Sequence, residues 1–354
     1  MTHRPSGDKN ERTCGAAKKL QPDVLDVMGQ RFRILQYVRL MQPVGRRTLA
    51  ASLELSERVL RGEVTFLKEQ GLLSVTAAGM TLTEEGHTLL EGLEEMIKEA
   101  FGLASLEEQV STILSVPKVI VVSGNSDRHS WVKKEMGRAC IQQMKAHLTP
   151  DDVVAVAGGT TLASVAEMMT PDPRLTSVTF VPARGGLGEK VEIQSSTISS
   201  VMGMKAEANY RLLHVPDQLS EEAHDSLAHE PEIKELLALI RSARVVLHGI
   251  GEGKTMAQRR KAKPGIMKEL EKKEAVAEAF GYYFDRNGNI VHKERTIGLQ
   301  LDDLNTNQKV ISIAGGASKG EAIWAYMRYR PSDILITDES AAQLSLIMSR
   351  QSNW

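Results

Sequence analysis

The feature that most constrains the fold is a series of six short apolar runs separated by longer segments with helical periodicity. The runs are Val119–Val122, Val153–Ala157, Val178–Val181, Val245–His248, Val310–Ile313 and Ile334–Thr337. Continuously apolar strands that alternate with helices are typical of a parallel sheet covered on both faces. The sequence therefore predicts an α/β domain, a Rossmann-like parallel sheet over residues 117–354.

The region before this domain has a different pattern, centred on a helix between Ser56 and Gln70. Its apolar back is formed by Leu60, Val64 and Leu67, and its front is polar and basic. A short helix near 47–53 precedes it, and a hairpin over 73–83 follows. This is the layout of a winged helix-turn-helix domain, which we predict over residues 21–83. The predicted contacts with double-stranded operator DNA are Arg46, Arg47, Arg58, Arg61, Thr65 and Lys68.

The charge distribution agrees with local binding of DNA. The formal net charge is only −1, so any nucleic-acid signal must be confined to one region. Residues 31–68 carry eight Arg or Lys against three Glu, whereas residues 84–108 carry eight Glu against one Lys. This asymmetry indicates a DNA-facing patch beside an acidic connector.

The connector, residues 84–116, has apolar residues at heptad spacing. They are Leu89, Leu93, Met96, Ala100, Leu103, Val110 and Leu114. One interpretation is a dimerisation helix, since regulators of this layout read repeated half-sites as dimers, so we expect a homodimer or homotetramer. The other interpretation is an amphipathic linker packed on its own domain. Residues 1–20 are polar and predict a disordered arm.

Three of the apolar runs continue directly into glycine-rich loops, at 158–161, 249–255 and 315–320. Ligands of open α/β sheets bind beyond the carboxyl ends of strands, and glycine lets backbone N–H groups approach an anion. The pattern favours a phosphate-bearing ligand, although tight strand-to-helix turns would explain it too. The predicted phosphate-loop residues are Gly158, Gly159, Gly251, Gly253, Lys254, Gly315, Gly316, Ala317 and Ser318.

Several side chains near these loops suit the same ligand. Thr160 and Thr161 offer hydroxyl groups, Lys319 offers a charge, and Arg184 follows a strand end with a guanidinium fork suited to phosphate. The basic stretch 254–263 is either a solvated loop or a lid over the phosphate. The loop at 249–255 has one residue too few for a nucleotide-binding P-loop and lacks the dinucleotide-binding glycine pattern, so we set aside an NTPase and a dehydrogenase.

Other function classes lack support in the sequence. The two cysteines, Cys14 and Cys140, have no neighbours at metal-ligand spacing, and no nucleophile is paired with a base. No apolar run approaches the roughly 20 residues that span a bilayer. We therefore predict no catalytic residues, no metal, no cofactor, no membrane partner and a cytoplasmic location.

The stretch Val181–Glu189, which reads VPARGGLGE, together with Ile193, Gln194 and the three loops, resembles the SorC family of sugar-responsive bacterial transcription regulators. The likeness covers nearly the whole chain after about residue 25. It implies a C-terminal domain similar to the ribose-5-phosphate isomerase and glucosamine-6-phosphate deaminase fold, reused without catalysis. It further implies repression of glycolytic genes that is relieved by fructose 1,6-bisphosphate.

Residues that bind the effector also follow from the resemblance, position by position. The implied contacts are Thr160, Thr161, Arg184, Gln194, Arg259, Glu278 and Lys319. A carboxylate such as Glu278 would suit the sugar hydroxyls rather than a phosphate. The alternative function is a sugar-phosphate isomerase or deaminase that carries a DNA-binding module. The lack of an obvious acid–base pair weighs against turnover.

Overall fold

The computed structural model describes residues 22–186, 190–216 and 220–351, so the predicted arm at residues 1–20 lies outside the described residues. The chain divides into two compact units, Met1–Ser105 and Leu106–Trp354. Within the described ranges, no helix combines the length and the apolar character needed to cross a membrane.

The first unit contains the predicted winged helix-turn-helix arrangement. Its elements are α1 (Pro22–Met41), α2 (Arg46–Ser52), α3 (Glu57–Glu69), β1 (Leu73–Thr76), β2 (Gly79–Leu82) and α4 (Glu84–Ala100). Leu49, Leu60 and Leu67 are buried and hold α2 and α3 in the core of the unit. The Ser56 hydroxyl accepts a hydrogen bond from the Val59 N–H at 3.3 Å and so caps the start of α3.

The predicted connector is two helices rather than one. The first, α4, begins after Thr83, whose hydroxyl accepts a hydrogen bond from the Gly86 N–H at 3.0 Å. It ends at Ala100, and α5 (Leu103–Leu114) starts only after Gly102, which has a φ of 75°. A residue in this left-handed region interrupts helical hydrogen bonding. The heptad pattern continued across this break because Leu103 falls in phase with Ala100.

Burial divides the predicted heptad residues into two groups. On α4, Leu89 and Met96 are each 37% exposed, while the buried face of that helix carries Leu90 and Ile97. On α5, Val110 is fully buried. Among the predicted heptad residues, the solvent-exposed positions of α4 are therefore the ones available to contact another chain.

The second unit is built on two sheets. Its strands are β3 (Lys118–Val122), β4 (Val153–Val156), β5 (Thr179–Pro182), β6 (Asn209–Tyr210), β7 (Val245–Gly249), β8 (Gly251–Glu252), β9 (Ala277–Ala279), β10 (Tyr282–Phe284), β11 (Ile290–Lys293), β12 (Lys309–Ile313) and β13 (Ile334–Asp338). The larger sheet has the order β3-β13-β12-β7-β4-β5-β6 and is parallel throughout. All six predicted strands are confirmed, and β6 is added at one edge.

Helices flank the sheet and connect its strands. They are α6 (Ser130–Ala146), α7 (Thr160–Glu167), α8 (Ser195–Ala206), α9 (Glu221–His229), α10 (Pro231–Arg241), α11 (Gly253–Arg259), α12 (Pro264–Lys272), α13 (Gly320–Tyr329) and α14 (Glu339–Gln351). Because all strands of this sheet are parallel, their carboxyl ends lie at one edge of the sheet, where ligands of such folds bind.

The smaller sheet is antiparallel, in the order β11-β10-β9-β8, and the sequence did not predict it. The chain enters β8 directly after β7, so this sheet begins beside the carboxyl end of a central parallel strand. Tyr283 of β10 packs with Ala257 of α11 and Leu270 of α12 in a separate hydrophobic cluster. The cluster fixes α11 and α12 against the small sheet.

Candidate functional site

A cleft lies beyond the carboxyl ends of β4, β5, β7 and β12. It encloses about 860 Å³ of empty space, a volume that includes the solvent in its open mouth. All seven side chains implied by the family resemblance line this cleft: Thr160, Thr161, Arg184, Gln194, Arg259, Glu278 and Lys319. They come from loops and helices far apart in sequence, and the topology brings them together.

The centre of the cleft wall is the carboxylate of Glu278 on β9. Its Oε1 atom accepts hydrogen bonds from Arg260 Nη2 at 2.9 Å, from Arg184 Nη1 at 3.3 Å and from the Gly281 N–H at 2.6 Å. All three side chains are buried. Burial by itself raises the pKa of Glu278, but the two guanidinium groups and the N–H outweigh it and lower the pKa. The carboxylate is therefore held in its ionised form.

Arg260 is the functional side chain that the sequence analysis missed. It lines the cleft beside Arg259, at the end of α11. The only sequence signal was its place in the basic stretch 254–263, which is mostly the helix α11 rather than a flexible loop. Nothing in that stretch distinguished a residue that points into the core from its solvated neighbours.

Cations outnumber anions around the cleft. Arg184, Arg259, Arg260 and Lys319 line it, and Glu278 is the one acidic residue among the described residues of the lining. Burial lowers the pKa of Lys319, an effect that Glu252 and Asp127 partly oppose. A lysine that is poorly solvated gains from an anionic ligand, because the ligand replaces the lost hydration.

The first glycine-rich loop is shaped for an anion. Gly159 has a φ of 126°, a conformation that side chains avoid, and it precedes the first turn of α7. The first backbone N–H groups of a helix have no partner within the helix. No described side chain caps α7, and Thr160 and Thr161 line the cleft. Their N–H and hydroxyl groups are available to bind a phosphoryl oxygen.

The second glycine-rich loop, in contrast, already holds an anion of the chain itself. The Glu252 carboxylate accepts hydrogen bonds from the Lys254 N–H at 2.9 Å and the Thr255 N–H at 2.7 Å, and so caps α11. The Lys254 ammonium lies 3.6 Å from the Glu271 carboxylate. Of this loop's predicted phosphate-binding residues, only Gly251 lines the cleft; Gly253 and Lys254 do not.

The third glycine-rich loop is also occupied by carboxylates. Asp338 accepts a hydrogen bond from the Gly316 N–H at 2.6 Å, and Asp127 accepts one from the Ser318 N–H at 2.9 Å. We therefore correct the predicted phosphate loop, because the following residues lie outside the cleft lining: Gly253, Lys254, Gly315, Gly316, Ala317 and Ser318. Lys319 is the member of this loop that reaches the cleft.

His248, at the end of β7, forms a neutral part of the cleft wall. Its Nδ1 atom lies 3.0 Å from the Gly249 carbonyl oxygen and its Nε2 atom 2.7 Å from the Ser312 hydroxyl. The carbonyl can only accept, so Nδ1 carries the proton and Nε2 accepts. Burial lowers the pKa of His248 to about 4, although Gly249 and Glu278 act in the opposite direction. The imidazole is uncharged at neutral pH.

The described ranges contain no group of three or more His, Cys, Asp or Glu side chains arranged to hold a metal ion. Cys140 is buried, and burial raises the pKa of its thiol, whereas Cys14 lies outside the described residues.

The surface of the first unit offers the predicted nucleic-acid interface. All six predicted DNA-binding residues are exposed: Arg46, Arg47, Arg58, Arg61, Thr65 and Lys68. Arg31 belongs to the same basic region of the sequence but is bound internally. Its Nε atom donates to Glu63 at 2.7 Å, and its guanidinium lies 3.6 Å from the centre of the Phe66 ring. The cations left for DNA are concentrated on α2 and α3.

Comparison with family models divides the chain in the same way. Residues 27–97 match the CggR N-terminal DNA binding domain, and residues 98–347 match the sugar-binding domain family. The first match contains α2, α3 and the hairpin of β1 and β2. The second contains every element that forms the cleft.

Individual proteins match over most of their length. A central glycolytic genes regulator from Priestia megaterium is 56% identical over 327 residues, which is 92% of this chain and 96% of the relative. A regulator of the same name from Bacillus subtilis is 53% identical, over 93% of this chain and 96% of the relative. The crystal structure of a SorC family transcriptional regulator from Enterococcus faecalis covers 68% of this chain and 99% of its own, with a TM-score of 0.65 and 43% identity.

Proposed function

This chain belongs to the family of the central glycolytic genes regulators, and from that premise we propose that it represses glycolytic genes. In this proposal the first unit binds operator DNA, and binding of a phosphorylated sugar to the second unit releases the protein from the DNA. The effector that we propose is fructose 1,6-bisphosphate. The glycolytic target rests on the names of the relatives. The choice of fructose 1,6-bisphosphate rests on the family resemblance, and the chemistry of the cleft supports a phosphorylated ligand.

The observation that carries the proposal is the charge arrangement around Glu278. Four cationic side chains surround one carboxylate, and the uncapped start of α7 adds the positive end of a helix. Each phosphoryl group carries about −1.5 to −2 charges at neutral pH. Two such groups would roughly balance the excess of positive charge in the cleft lining, whereas a neutral sugar would leave that excess unchanged. Glu278 is left to accept hydrogen bonds from sugar hydroxyls.

The DNA half of the proposal rests on α3. Recognition helices of this fold enter the major groove and read bases from their N-terminal turns, which here carry Arg58 and Arg61. Neither guanidinium has a described partner in the protein, so binding to DNA breaks no internal ion pair. We further propose that the protein acts as a homodimer or homotetramer, because one α3 would read only a half-site.

A calorimetric titration of fructose 1,6-bisphosphate into the full chain tests the effector. Lys319→Met should weaken binding at least tenfold, since a hydrogen bond to a charged group contributes about 1.5–3 kcal/mol. Lys254→Met is the matched control, because Lys254 was predicted for the same role but pairs with Glu271 outside the cleft lining. Equal affinities for both variants and the wild type would refute the site, and no binding by the wild type would refute the effector.

A second experiment separates the regulator from the isomerase or deaminase alternative. Fructose 1,6-bisphosphate should release the full chain from a duplex that carries its operator. No isomerisation or deamination of sugar phosphates should occur. Glu278, the acidic residue of the described lining, accepts three hydrogen bonds and has a lowered pKa, which makes it a weak base. Measurable turnover would contradict the proposal.

A further inference from the structure

Gly62 is an unexplained residue in the middle of α3. It is exposed, and it lies at the sixth position of a helix of 13 residues. Glycine is the weakest helix former apart from proline, because it loses the most backbone freedom when the helix forms. A glycine in the interior of a helix therefore requires a reason, which in most cases is close packing against another part of the protein.

Two other helical glycines of this chain, Gly86 and Gly137, have that reason. A Cβ atom added to Gly86 in α4 would lie 2.3 Å from the Leu72 carbonyl oxygen, and one added to Gly137 in α6 would lie 2.9 Å from the Ser164 carbonyl oxygen. A Cβ atom added to Gly62 would meet no atom within 4 Å. Packing within the protein therefore does not account for Gly62.

The position of Gly62 on the helix points outward to the DNA-binding surface. Arg58 lies one turn before it, Thr65 lies one turn after it, and Arg61 is adjacent. Residues three and four apart share a face of a helix, so Gly62 lies between Arg58 and Thr65 on the exposed face of α3. The surface around it carries cations that no described residue neutralises.

We propose that Gly62 is the point of closest approach between α3 and the base edges in the major groove. The absence of a side chain there lets the helix lie deeper, so that Arg58 and Arg61 reach the bases rather than only the phosphates. An added methyl group would hold the helix away from the groove floor and lengthen both contacts. This inference rests on the proposed binding of operator DNA and names a residue that determines its specificity.

The test compares Gly62→Ala with Gly265→Ala in the full chain. Gly265 is the matched control, because it is exposed in the helix α12 of the second unit and a Cβ atom there would also meet nothing within 4 Å. Both variants should raise the midpoint of thermal unfolding by a few degrees, since alanine is the better helix former. The DNA probe is a duplex selected by the wild type from a random-sequence library, and affinity is read by fluorescence anisotropy.

Gly62→Ala should bind the selected duplex at least tenfold more weakly than the wild type, and Gly265→Ala should bind it as well as the wild type does. A duplex of scrambled sequence should bind all three proteins alike, because phosphate contacts remain. Unchanged affinity of Gly62→Ala for the selected duplex would overturn the inference, as would an equal loss on both duplexes. If the wild type selects no sequence, the proposed function fails first, and Gly62 has no role to explain.

Discussion

Arg260 donates a hydrogen bond of 2.9 Å to Glu278, and the two residues form a buried ion pair at the junction of α11 and the small antiparallel sheet. Arg184 donates to the same oxygen atom from the end of β5. One carboxylate thus holds together three segments that are distant in sequence. The contact between Arg184 and Glu278 joins the end of a strand of the large sheet to the small sheet at the wall of the cleft.

Replacement of Glu278 by alanine should destabilise the second unit strongly. Two buried guanidinium groups would lose their counter-charge, and removing one partner of a buried pair lowers the free energy of unfolding by about 3–5 kcal/mol. Urea unfolding of the full chain measures this loss. Glu271→Ala is the control, because its pair with Lys254 is on the surface and contributes about 1 kcal/mol or less. Similar losses in both variants would contradict the structural role of Glu278.

The buried imidazole of His248 should make the protein sensitive to mild acid. Its pKa is lowered from 6.5 to about 4, so the unfolded state binds a proton at a higher pH than the folded state does. The contribution of neutral His248 to the free energy of unfolding is complete above pH 6.5. It is lost as the pH falls from 6.5 towards 4. Between pH 7 and pH 5 we expect a loss of about 2 kcal/mol in the free energy of unfolding. Urea unfolding of His248→Gln at pH 7 and pH 5 should show a smaller loss of stability than the wild type shows. An identical loss in both proteins would mean that other titratable groups cause it.

Arg58 should contribute to DNA binding through charge as well as through base contacts. Arg58→Ala should weaken binding to the selected operator by roughly 1–3 kcal/mol and, if the side chain also neutralises a phosphate, reduce the slope of log affinity against log salt by about 0.9. The control is Arg33→Ala, which removes an exposed cation of α1 that is not among the six predicted contacts with DNA. Equal losses of affinity in the two variants would mean that DNA binding depends only on the total charge of the first unit.

Arg184 should couple the effector to the operator. Arg184→Ala should weaken fructose 1,6-bisphosphate by about ten- to a hundredfold and leave affinity for the operator without effector nearly unchanged. Because coupling is reciprocal, operator DNA should weaken effector binding to the wild type by the same factor by which the effector weakens DNA binding. Calorimetric titrations of the effector with and without operator measure the first factor. Titrations of the operator with and without effector measure the second. Arg211→Ala, which removes only a surface pair with Glu235, should behave as the wild type.

Assembly should depend on the exposed apolar positions of α4. Leu89→Asp should reduce self-association and operator binding together, because Leu89 is partly exposed and its replacement leaves the core of the unit intact. The same change at Leu103 would report on folding instead, since Leu103 is buried. Sedimentation measures the mass, and Ile290→Asp on β11 serves as the control for an exposed apolar residue. Wild-type mass for Leu89→Asp would place the assembly contacts elsewhere.

The regular parts of the fold were predictable because their signals are local. The six parallel strands are apolar runs, and Ser56 and Thr83 are caps whose partners lie three residues away. The resemblance to SorC regulators, read from the segment around Arg184, is confirmed by the family matches. The break at Gly102 was missed because the apolar period resumes in phase after it.

The remaining features depend on contacts that no local pattern records. The small sheet has strands of only two to four residues, and its central strand β9 carries Glu278 between two alanines. The Ser318 N–H binds Asp127, which is 191 residues away. The local sequence does not distinguish a glycine-rich loop that binds a phosphate from one that binds an aspartate of the same chain.

The carboxylates of Glu252, Asp127 and Asp338 act as tethered anions, and this has a consequence for how a ligand enters the cleft. Because these anions are covalently attached, inorganic phosphate in solution cannot compete with them at the second and third loops. Of the three glycine-rich loops, the loop before α7 is the one without such a carboxylate among the described residues. In the proposed complex, one phosphoryl group of a bisphosphate would therefore lie at α7 and the other near the arginines. This asymmetry would fix the direction of the sugar between them, so that the site could distinguish its stereochemistry.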